Sequence, residues 1–255
     1  MLAHRSSIVR AALAAALALA AGCGGSSGSG PMKPPPDVSA QLAALSTRRV
    51  FFGHQSVGWN IVGGLQGLLD ANGGAEPTIT HTATPAAVTA GTFAHYEIAA
   101  NEHPDQKIAN FGALLSGELG AAVDVAFLKF CFVDFQVQSD AQLDALFAAY
   151  QQMVHDVRAA HPGLKLVHLT VPLSPQDDPN NARRERFSDR LRAAYGGDVF
   201  DLARLESADP TTGAPIRGAN GPMLYSGWKE DDSGHLNPTG SQAVARALVA
   251  FLAGS

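Results

Sequence analysis

The feature that most constrains the fold is a regular alternation of strand-like and helix-like segments along most of the chain. The strand-like segments are short and rich in β-branched and aromatic residues, and they fall at residues 49–53, 78–81, 123–128, 164–171 and 199–200. A segment with apolar residues at helical spacing follows most of these strand-like segments. No tight Asn-Gly or Asp-Gly hairpin joins one strand-like segment to the next. This pattern predicts an α/β protein with three α/β/α layers, built on a mostly parallel, roughly five-stranded, flavodoxin-like sheet.

The same pattern indicates where a functional site should lie. In parallel sheets covered by helices, ligands bind beyond the carboxyl ends of the strands. Two long loops are expected at that edge, at residues 172–181 and 206–234. Catalytic or ligand-binding residues are therefore expected in the loops that follow the strands.

The first 22 residues have the features of a secretory signal peptide. A basic start that includes Arg5 and Arg10 precedes the apolar run 11–20, which is shorter than the roughly 20 residues needed to cross a bilayer. Residues 20–23, in one-letter form AAGC, resemble a bacterial lipobox, in which the cysteine receives the lipid. We expect lipidation of Cys23, the alternative being an ordinary cleaved signal in which this cysteine is incidental.

The residues after the signal predict a tether and one folded domain. Residues 23–37 are rich in Gly, Ser and Pro, a composition that gives a flexible and then a stiffer spacer. We therefore expect a signal peptide at 1–22, a tether at 23–37 and a single domain at 38–255. Gly24, rather than aspartate, follows the cysteine. The resemblance to bacterial lipoproteins then implies an exported protein, anchored in the outer membrane through Cys23 and facing the periplasm.

Charge and cysteine content exclude some partners and cross-links. The formal net charge is −5, and the chain has no basic patch that would suggest a nucleic-acid partner. Cys131 is the one cysteine after Cys23, so an intramolecular disulfide is not expected in the domain. Because it lies in the apolar run 126–132, we expect it to be buried and inert.

Ser56 is the first candidate for catalysis. It follows the strand-like segment 49–53 and precedes a helical segment, so its hydroxyl would lie at the mouth of the sheet. Backbone N–H groups at the start of that helix could stabilise a developing oxyanion. The alternative is structural, since serine is a favoured helix N-cap.

Asp232 and His235 form the second candidate. They lie three residues apart in a glycine-containing turn before the last helical segment. That spacing allows the carboxylate to bind one imidazole nitrogen while the other nitrogen faces a serine hydroxyl. The alternative is an acidic surface turn in which Asn237 caps the helix that begins at Pro238.

Taken together, these residues resemble the SGNH, or GDSL-type, hydrolase family. In that family a nucleophilic serine follows the first strand, and an Asp-x-x-His motif near the C-terminus supplies acid and base. The block from Asp232 to His235, continued as LNPTG, is similar to the family's last motif. The resemblance spans most of the domain and implies that Ser56 is the nucleophile, His235 the base and Asp232 the orienting acid.

The first and third family motifs depart from the pattern. Two residues separate Gly53 from Ser56, where the family has Gly-Asp-Ser. The family's Gly-x-Asn-Asp block is replaced by residues 131–134, CFVD, of which only Asp134 matches. The resemblance therefore leaves the oxyanion hole incomplete. Besides the Ser56 N–H, Asn101 is a candidate donor, although it is also an ordinary turn residue.

Other catalytic chemistries fit the sequence less well. A nucleophile elbow requires Gly-x-Ser-x-Gly, and His54 occupies the place of the first glycine. The histidines form no His-Glu-x-x-His or other ligand spacing, and we expect them to act individually as surface or hydrogen-bonded residues. We therefore expect no metal and no organic cofactor. Lys129, in an apolar strand, is expected either to end that strand at the rim or to pair with Asp134.

The family resemblance implies hydrolysis of carboxylic esters with small acyl groups. The partner would be a small ester or an acylated glycan, for example one that carries O-acetyl groups. The alternative function is a catalytically silent envelope lipoprotein of the same fold that binds a glycan or a protein partner. Reaction with a fluorophosphonate probe distinguishes the two.

Overall fold

A computed structural model describes residues 38–73, 77–136, 139–230 and 234–254. The signal peptide, the tether, the lipidation site at Cys23 and the orienting acid Asp232 lie outside these ranges. They stay predictions.

The described residues contain the predicted parallel sheet, with six strands. These are β1 (Val50–His54), β2 (Thr78–His81), β3 (Thr92–Glu97), β4 (Val125–Leu128), β5 (Lys165–Leu169) and β6 (Val199–Phe200). Their order across the sheet is β2-β3-β1-β4-β5-β6, and each neighbouring pair is parallel. A short antiparallel pair, β7 (Arg217–Gly218) and β8 (Gly221–Pro222), lies apart from this sheet.

The sheet has one strand more than the sequence pattern predicts, and the additional strand is β3. β3 lies between β2 and β1 and pairs with both. Its sequence, TFAHYE, mixes apolar residues with His95 and Glu97, so it lacks the apolar run of the other strands. The five strands β3-β1-β4-β5-β6 have the flavodoxin-like order, and β2 is an additional edge strand.

Helices cover both faces of the sheet. They are α1 (Ser39–Leu45), α2 (Val57–Ala71), α3 (Pro104–Ser116), α4 (Glu118–Ala122), α5 (Asp140–Ala160), α6 (Asn181–Tyr195), α7 (Leu202–Glu206) and α8 (Pro238–Ala253). Helices α1, α2, α7 and α8 share one apolar core with the sheet, and α3 to α6 share the other. Successive residues of β1 alternate between the two cores, with Phe52 in the first and Phe51 in the second. This three-layer arrangement is the predicted fold class.

The packing of α2 on α8 determines where the candidate site forms. Gly64 of α2 lies so close to α8 that a Cβ placed on it would be 2.1 Å from the carbonyl oxygen of Ser241. Helix α2 begins directly after Ser56, and α8 begins three residues after His235. The close contact of the two helices therefore brings these two loops together.

Within the described ranges, no helix combines the length and the apolar character needed to span a bilayer.

Candidate active site

Ser56 lies in a sharp turn between β1 and α2. Its backbone has φ 50° and ψ −114°, a conformation that residues with a side chain rarely adopt. Ser56 is the N-cap residue of α2 by position, but its side chain makes no capping hydrogen bond. The structural alternative, a serine that caps the helix, therefore does not account for this side chain.

The hydroxyl of Ser56 faces His235. Ser56 Oγ lies 2.7 Å from His235 Nε2, although 179 residues separate the two in sequence. This is the hydrogen-bond geometry that a nucleophile and its general base require. The structure thus brings together two of the three residues predicted from sequence.

Asn60 connects the loops that carry the pair. Its Nδ2 donates to the carbonyl oxygen of Leu236 at 3.1 Å, and its Oδ1 accepts from the Leu236 N–H at 3.3 Å. Since Asn60 lies one helical turn after Ser56 and Leu236 follows His235, this double contact fixes the distance between the candidate residues. This role of Asn60 could not be predicted from sequence, because an asparagine early in a helix resembles any solvent-facing polar residue.

The His235 loop is further held by the start of α8 and by a glycine. Asn237 Oδ1 accepts from the Gly240 N–H at 2.9 Å and caps the helix, as the structural alternative for this turn has it. Gly234 has φ 94°, and a Cβ on it would lie 3.1 Å from the Leu173 carbonyl oxygen. The ring of Phe132 lies edge-to-face with the imidazole of His235, with centroids 6.3 Å apart. The orientation of His235 thus depends on three separate parts of the chain.

Gly58 allows the turn at Ser56 to form. A Cβ on Gly58 would lie 2.3 Å from Nδ1 of His54, a wholly buried residue at the end of β1. Any residue with a side chain in place of Gly58 would displace either the imidazole of His54 or the start of α2. Gly58 is therefore a steric requirement of the site that the sequence pattern did not reveal.

Two buried histidines lie beneath the turn. His54 Nε2 is 3.0 Å from His95 Nδ1, and His54 Nδ1 has no hydrogen-bond partner. Burial, followed by the charge of Lys129, lowers the pKa of His54 to about 2. Burial and then His81 lower the pKa of His95 to about 4. Both imidazoles are therefore neutral near pH 7.

The predicted oxyanion donors are only partly arranged in this structure. The Ser56 N–H donates to Oε1 of the neighbouring Gln55 at 3.2 Å, a side-chain acceptor that a substrate oxygen could replace. Asn101 lies in an exposed turn before α3, and its Oδ1 accepts from Lys107 Nζ at 3.2 Å. Oxyanion binding by Ser56 and Asn101 stays a prediction.

Asp134 connects the loop after β4 to the loop before α3. Its carboxylate accepts from Lys107 Nζ at 2.6 Å, from the Glu102 N–H at 2.8 Å and from the Cys131 N–H at 2.7 Å. The side chains of Lys107 and Asp134 are fully buried. Pairing of Lys129 with Asp134 was therefore a wrong expectation, because Lys107 takes that place. Cys131 is fully buried, as predicted.

Lys129 and Glu206 are further buried groups near the same edge. Lys129 directly follows β4, and its Nζ has no hydrogen-bond partner. One carboxylate oxygen of Glu206 accepts from the Leu173 N–H at 2.7 Å, and the other has no partner. Burial lowers the pKa of Lys129 to about 8 and raises that of Glu206 to about 8.

Fold and site together define a class: an α/β protein of flavodoxin-like strand order with a serine–histidine pair at the carboxyl edge of its first strand. Comparison with a solved structure agrees with the fold. The lipase/acylhydrolase from Enterococcus faecalis is similar at a TM-score of 0.51 and 12% identity, over 81% of this chain and 96% of that one. The acetyl xylan esterase AlAXEase gives a TM-score of 0.48 and 16% identity, over 79% and 98% of the two chains.

At 12% identity the likeness to the acylhydrolase is one of fold alone, and it agrees with the predicted SGNH hydrolase-like fold class. No family model matches the sequence, and no curated protein matches it.

Proposed function

We propose that this protein is a serine esterase, which hydrolyses a carboxylic ester with a small acyl group through an acyl-enzyme on Ser56. The observation that carries the proposal is the 2.7 Å distance between Ser56 Oγ and His235 Nε2, at the sheet edge where α/β proteins bind ligands. The strained backbone of Ser56 supports it, because such strain is concentrated at functional sites.

Each half of the reaction uses the same pair of side chains. His235 Nε2 accepts the hydroxyl proton while Ser56 Oγ bonds to the ester carbonyl carbon. The bond to the alcohol then breaks, and His235 gives the proton to the departing oxygen. Next, a water molecule gives a proton to His235 and attacks the acyl carbon. The bond to Ser56 Oγ breaks, the proton returns to Oγ, and the carboxylic acid leaves.

Three further groups have proposed roles in these steps. Asp232 would orient the imidazole of His235 and stabilise its protonated form. The Ser56 N–H and the Asn101 amide would donate to the oxygen that becomes negative in the tetrahedral intermediate.

Substitution of the pair tests the mechanism. We expect Ser56→Ala and His235→Ala each to lower kcat for phenyl acetate by roughly 10³-fold or more. The double variant should be barely slower than either single variant, because residues that act as a unit are not additive. Circular dichroism checks that each variant is folded, and Ser116→Ala, an exposed serine at the end of α3, is the matched control.

A fluorophosphonate probe separates the esterase from the alternative function. Wild-type protein and Ser116→Ala should both be labelled, and Ser56→Ala should not. If folded wild-type protein stays unlabelled under several conditions, the alternative of a catalytically silent envelope protein is favoured. If folded Ser56→Ala retains normal activity, the mechanism is wrong.

A further inference from the structure

The side chain of Gln55 lies against the backbone of the proposed nucleophile. Gln55 directly follows β1 and precedes Ser56, and both residues are half-buried, so a ligand can reach them. Gln55 Oε1 accepts from the Ser56 N–H at 3.2 Å. Within the described ranges, Gln55 Nε2 has no hydrogen-bond partner. The carboxamide is therefore held by one hydrogen bond, and that bond is to Ser56.

This contact occupies the place where a substrate carbonyl oxygen would bind. An N–H···O hydrogen bond joins atoms about 2.7–3.2 Å apart, so an oxygen that accepts from the Ser56 N–H must lie close to the present position of Gln55 Oε1. At 3.2 Å the existing bond is at the long end of that range, so it is weak. The side chain of Gln55 must therefore move when an ester binds as the proposed mechanism requires.

The main chain around Gln55 is held independently of this side chain. The Gln55 carbonyl oxygen accepts from the Gly58 N–H at 3.0 Å, and the Ser56 carbonyl oxygen accepts from the Trp59 N–H at 2.8 Å. These bonds belong to the turn that opens α2, and the carboxamide takes no part in them. Displacement of the carboxamide therefore leaves Ser56 and its N–H in position.

Rotation of the displaced carboxamide presents a donor to the same oxygen. The last torsion of a glutamine side chain is soft and roughly two-fold, so a rotation about it exchanges Oε1 and Nε2. Nε2 carries two N–H donors, and because neither is bound within the described ranges, the rotation breaks no further bond. An oxygen that accepts from the Ser56 N–H lies beside this carboxamide and can accept from Nε2 as well. Two donors that converge on one oxygen are the arrangement that stabilises an oxyanion.

Other side chains at this edge are less suited to donate to that oxygen. Residues 131–134, in the loop after β4, include no amide side chain, and the carboxylate of Asp134 already accepts from several donors. Asn101 Oδ1 accepts from Lys107 Nζ at 3.2 Å, which ties that amide to a buried ion pair. Gln55 differs from both, because its carboxamide contacts the nucleophile itself.

We propose that Gln55 is a catalytic residue with two positions. In the free protein its Oε1 covers the Ser56 N–H. When the ester binds, the carboxamide turns, and Nε2 donates to the oxygen that becomes negative in the tetrahedral intermediate. Gln55 transfers no proton in this step, since both hydrogens stay on Nε2 and the carbonyl bond forms again as the alcohol leaves. The inference rests on the proposed esterase function and adds a donor to its oxyanion site.

Substitutions that remove the donor test this role. Gln55→Met has a side chain of similar length without a donor, and Gln55→Glu keeps an acceptor for the Ser56 N–H but has no N–H of its own. We expect Gln55→Met to lower kcat for phenyl acetate by roughly 10²-fold. It should not raise KM, because no side-chain oxygen then competes with the substrate. Gln55→Glu should lower kcat further, since its carboxylate repels the oxyanion.

The matched control is another glutamine of the same helix. Gln66→Met, at an exposed position of α2, should leave kcat and KM unchanged, and circular dichroism checks that each variant is folded. An unchanged or higher kcat in folded Gln55→Met would overturn the proposal, because the side chain would then only cover the Ser56 N–H. A raised KM with unchanged kcat would overturn it too, because Gln55 would then bind substrate and transition state equally.

A stable adduct measures the same effect without turnover. The probe is phenyl trifluoromethyl ketone. Ser56 Oγ bonds to its carbonyl carbon, the hydroxyl proton passes to His235 Nε2, and the ketone oxygen becomes an oxyanion. Fluorine NMR of the adduct across a pH series gives the pKa of this oxygen. Loss of a donor should make the oxygen a weaker acid, by tenfold or more, in Gln55→Met than in the wild-type protein.

The outcomes separate this inference from the esterase proposal. If folded Ser56→Ala hydrolyses phenyl acetate at the wild-type rate, the esterase mechanism is wrong and the role of Gln55 is wrong with it. If Ser56→Ala is inactive, while Gln55→Met equals the wild-type protein in kcat and in the acidity of the adduct, only the role of Gln55 is overturned. If Gln55→Met does not fold, Gln55→Glu decides, because it retains the acceptor for the Ser56 N–H. A wild-type kcat in that variant would overturn the role of Gln55.

Discussion

At the scale of single residues, the feature that sets Ser56 apart is its backbone conformation. Only two non-glycine residues in the described ranges have positive φ, Ser56 at 50° and Glu102 at 69°. Such conformations cost on the order of 1–3 kcal/mol each and persist only where the surroundings enforce them. Here the tight contact of Gly58 with His54 and the double hydrogen bond of Asn60 enforce the turn.

Substitution of Ser56 by glycine should therefore stabilise the fold. We expect Ser56→Gly to unfold with a free energy about 1 kcal/mol larger than Ser56→Ala, because glycine adopts positive φ without a steric penalty. Urea denaturation followed by fluorescence measures the difference. Both variants lack the hydroxyl, so comparison between them removes the effect of its contact with His235. Equal stabilities would mean that the turn stores no strain.

The sequence predicted the residues of the candidate pair better than the residues that support them. Ser56 and His235 were predictable because each occupies a loop at a defined place in the strand–helix alternation. Asn60, Gly58 and the Lys107–Asp134 pair were not, because their roles depend on contacts between distant segments. Neither composition nor local spacing carries information on such contacts.

At the scale of elements, the contact between α2 and α8 supports the site. Neighbouring glycines of α2 have opposite environments there. A Cβ on Gly64 would lie 2.1 Å from the Ser241 carbonyl oxygen, whereas a Cβ on Gly63 meets no atom within 4 Å. The two positions thus separate the effect of helix propensity from that of helix packing.

Alanine at these two positions should change stability in opposite directions. Gly63→Ala should raise the free energy of unfolding by roughly 0.5–1 kcal/mol, because alanine loses less backbone entropy in a helix. Gly64→Ala should lower it by roughly 1–3 kcal/mol through overpacking, and it should also lower esterase activity as α8 shifts His235. Thermal unfolding and phenyl acetate hydrolysis measure both effects. A stable, fully active Gly64→Ala would refute this account of the helix contact.

Strand β3 illustrates what the sequence pattern could not provide. Its first four residues are buried, including His95, because the strand is flanked by β2 and β1 and covered by helices. A histidine in such a strand is expected only if it has a buried partner, and here the partner is His54 of the neighbouring strand. Other strands, such as β4 with four apolar buried residues, were predictable because burial and composition agree.

At the scale of the whole molecule, buried titratable groups should govern the response to pH. Burial is the main cause that lowers the pKa of His54 to about 2, of His95 to about 4 and of His168 to about 3. The unfolded chain therefore binds protons below about pH 6.5 that the folded chain does not bind. Stability from these groups is present above pH 6.5 and is lost as the pH falls. The pKa of Glu206 is raised to about 8. Its contribution to the free energy of unfolding is therefore lost as the pH rises from the ordinary pKa of a glutamate towards 8.

Stability should therefore be greatest near pH 6.5. Between pH 6.5 and 5, the loss of stability from the three histidines is larger than the gain from the carboxyl group of Glu206. We therefore expect the free energy of unfolding to fall on the order of 2 kcal/mol over this range. Between pH 6.5 and about 7.5, Glu206 should lower it, whereas Lys129, whose pKa burial lowers to about 8, has the opposite effect and acts mainly from pH 8 upwards. Glu206→Gln should remove the decrease below pH 7.5 while keeping an acceptor for the Leu173 N–H. Urea denaturation across this range measures both limbs. A flat profile in wild-type protein would contradict the assigned protonation states.

Removal of one buried histidine tests the acid limb directly. His168 Nδ1 lies 2.8 Å from the hydroxyl of Tyr150, so the double variant Tyr150→Phe/His168→Phe removes the titrating group together with its partner. We expect its acid limb to be shallower than that of the control Tyr150→Phe, by about 1.4 kcal/mol per pH unit at most.

Ser56 precedes α2, and His235 precedes α8, 179 positions further along the chain. This separation also affects when catalysis by the pair can begin. A nascent chain that has emerged only as far as residue 230 holds the serine but not the histidine. Under the proposed mechanism, the Ser56 hydroxyl has no base before α8 docks and brings His235 to it, so until then we expect it to have the weak reactivity of a free alcohol. If the proposed mechanism holds, the onset of ester hydrolysis during refolding should coincide with the docking of α8, and the rate of that onset would report the completion of folding.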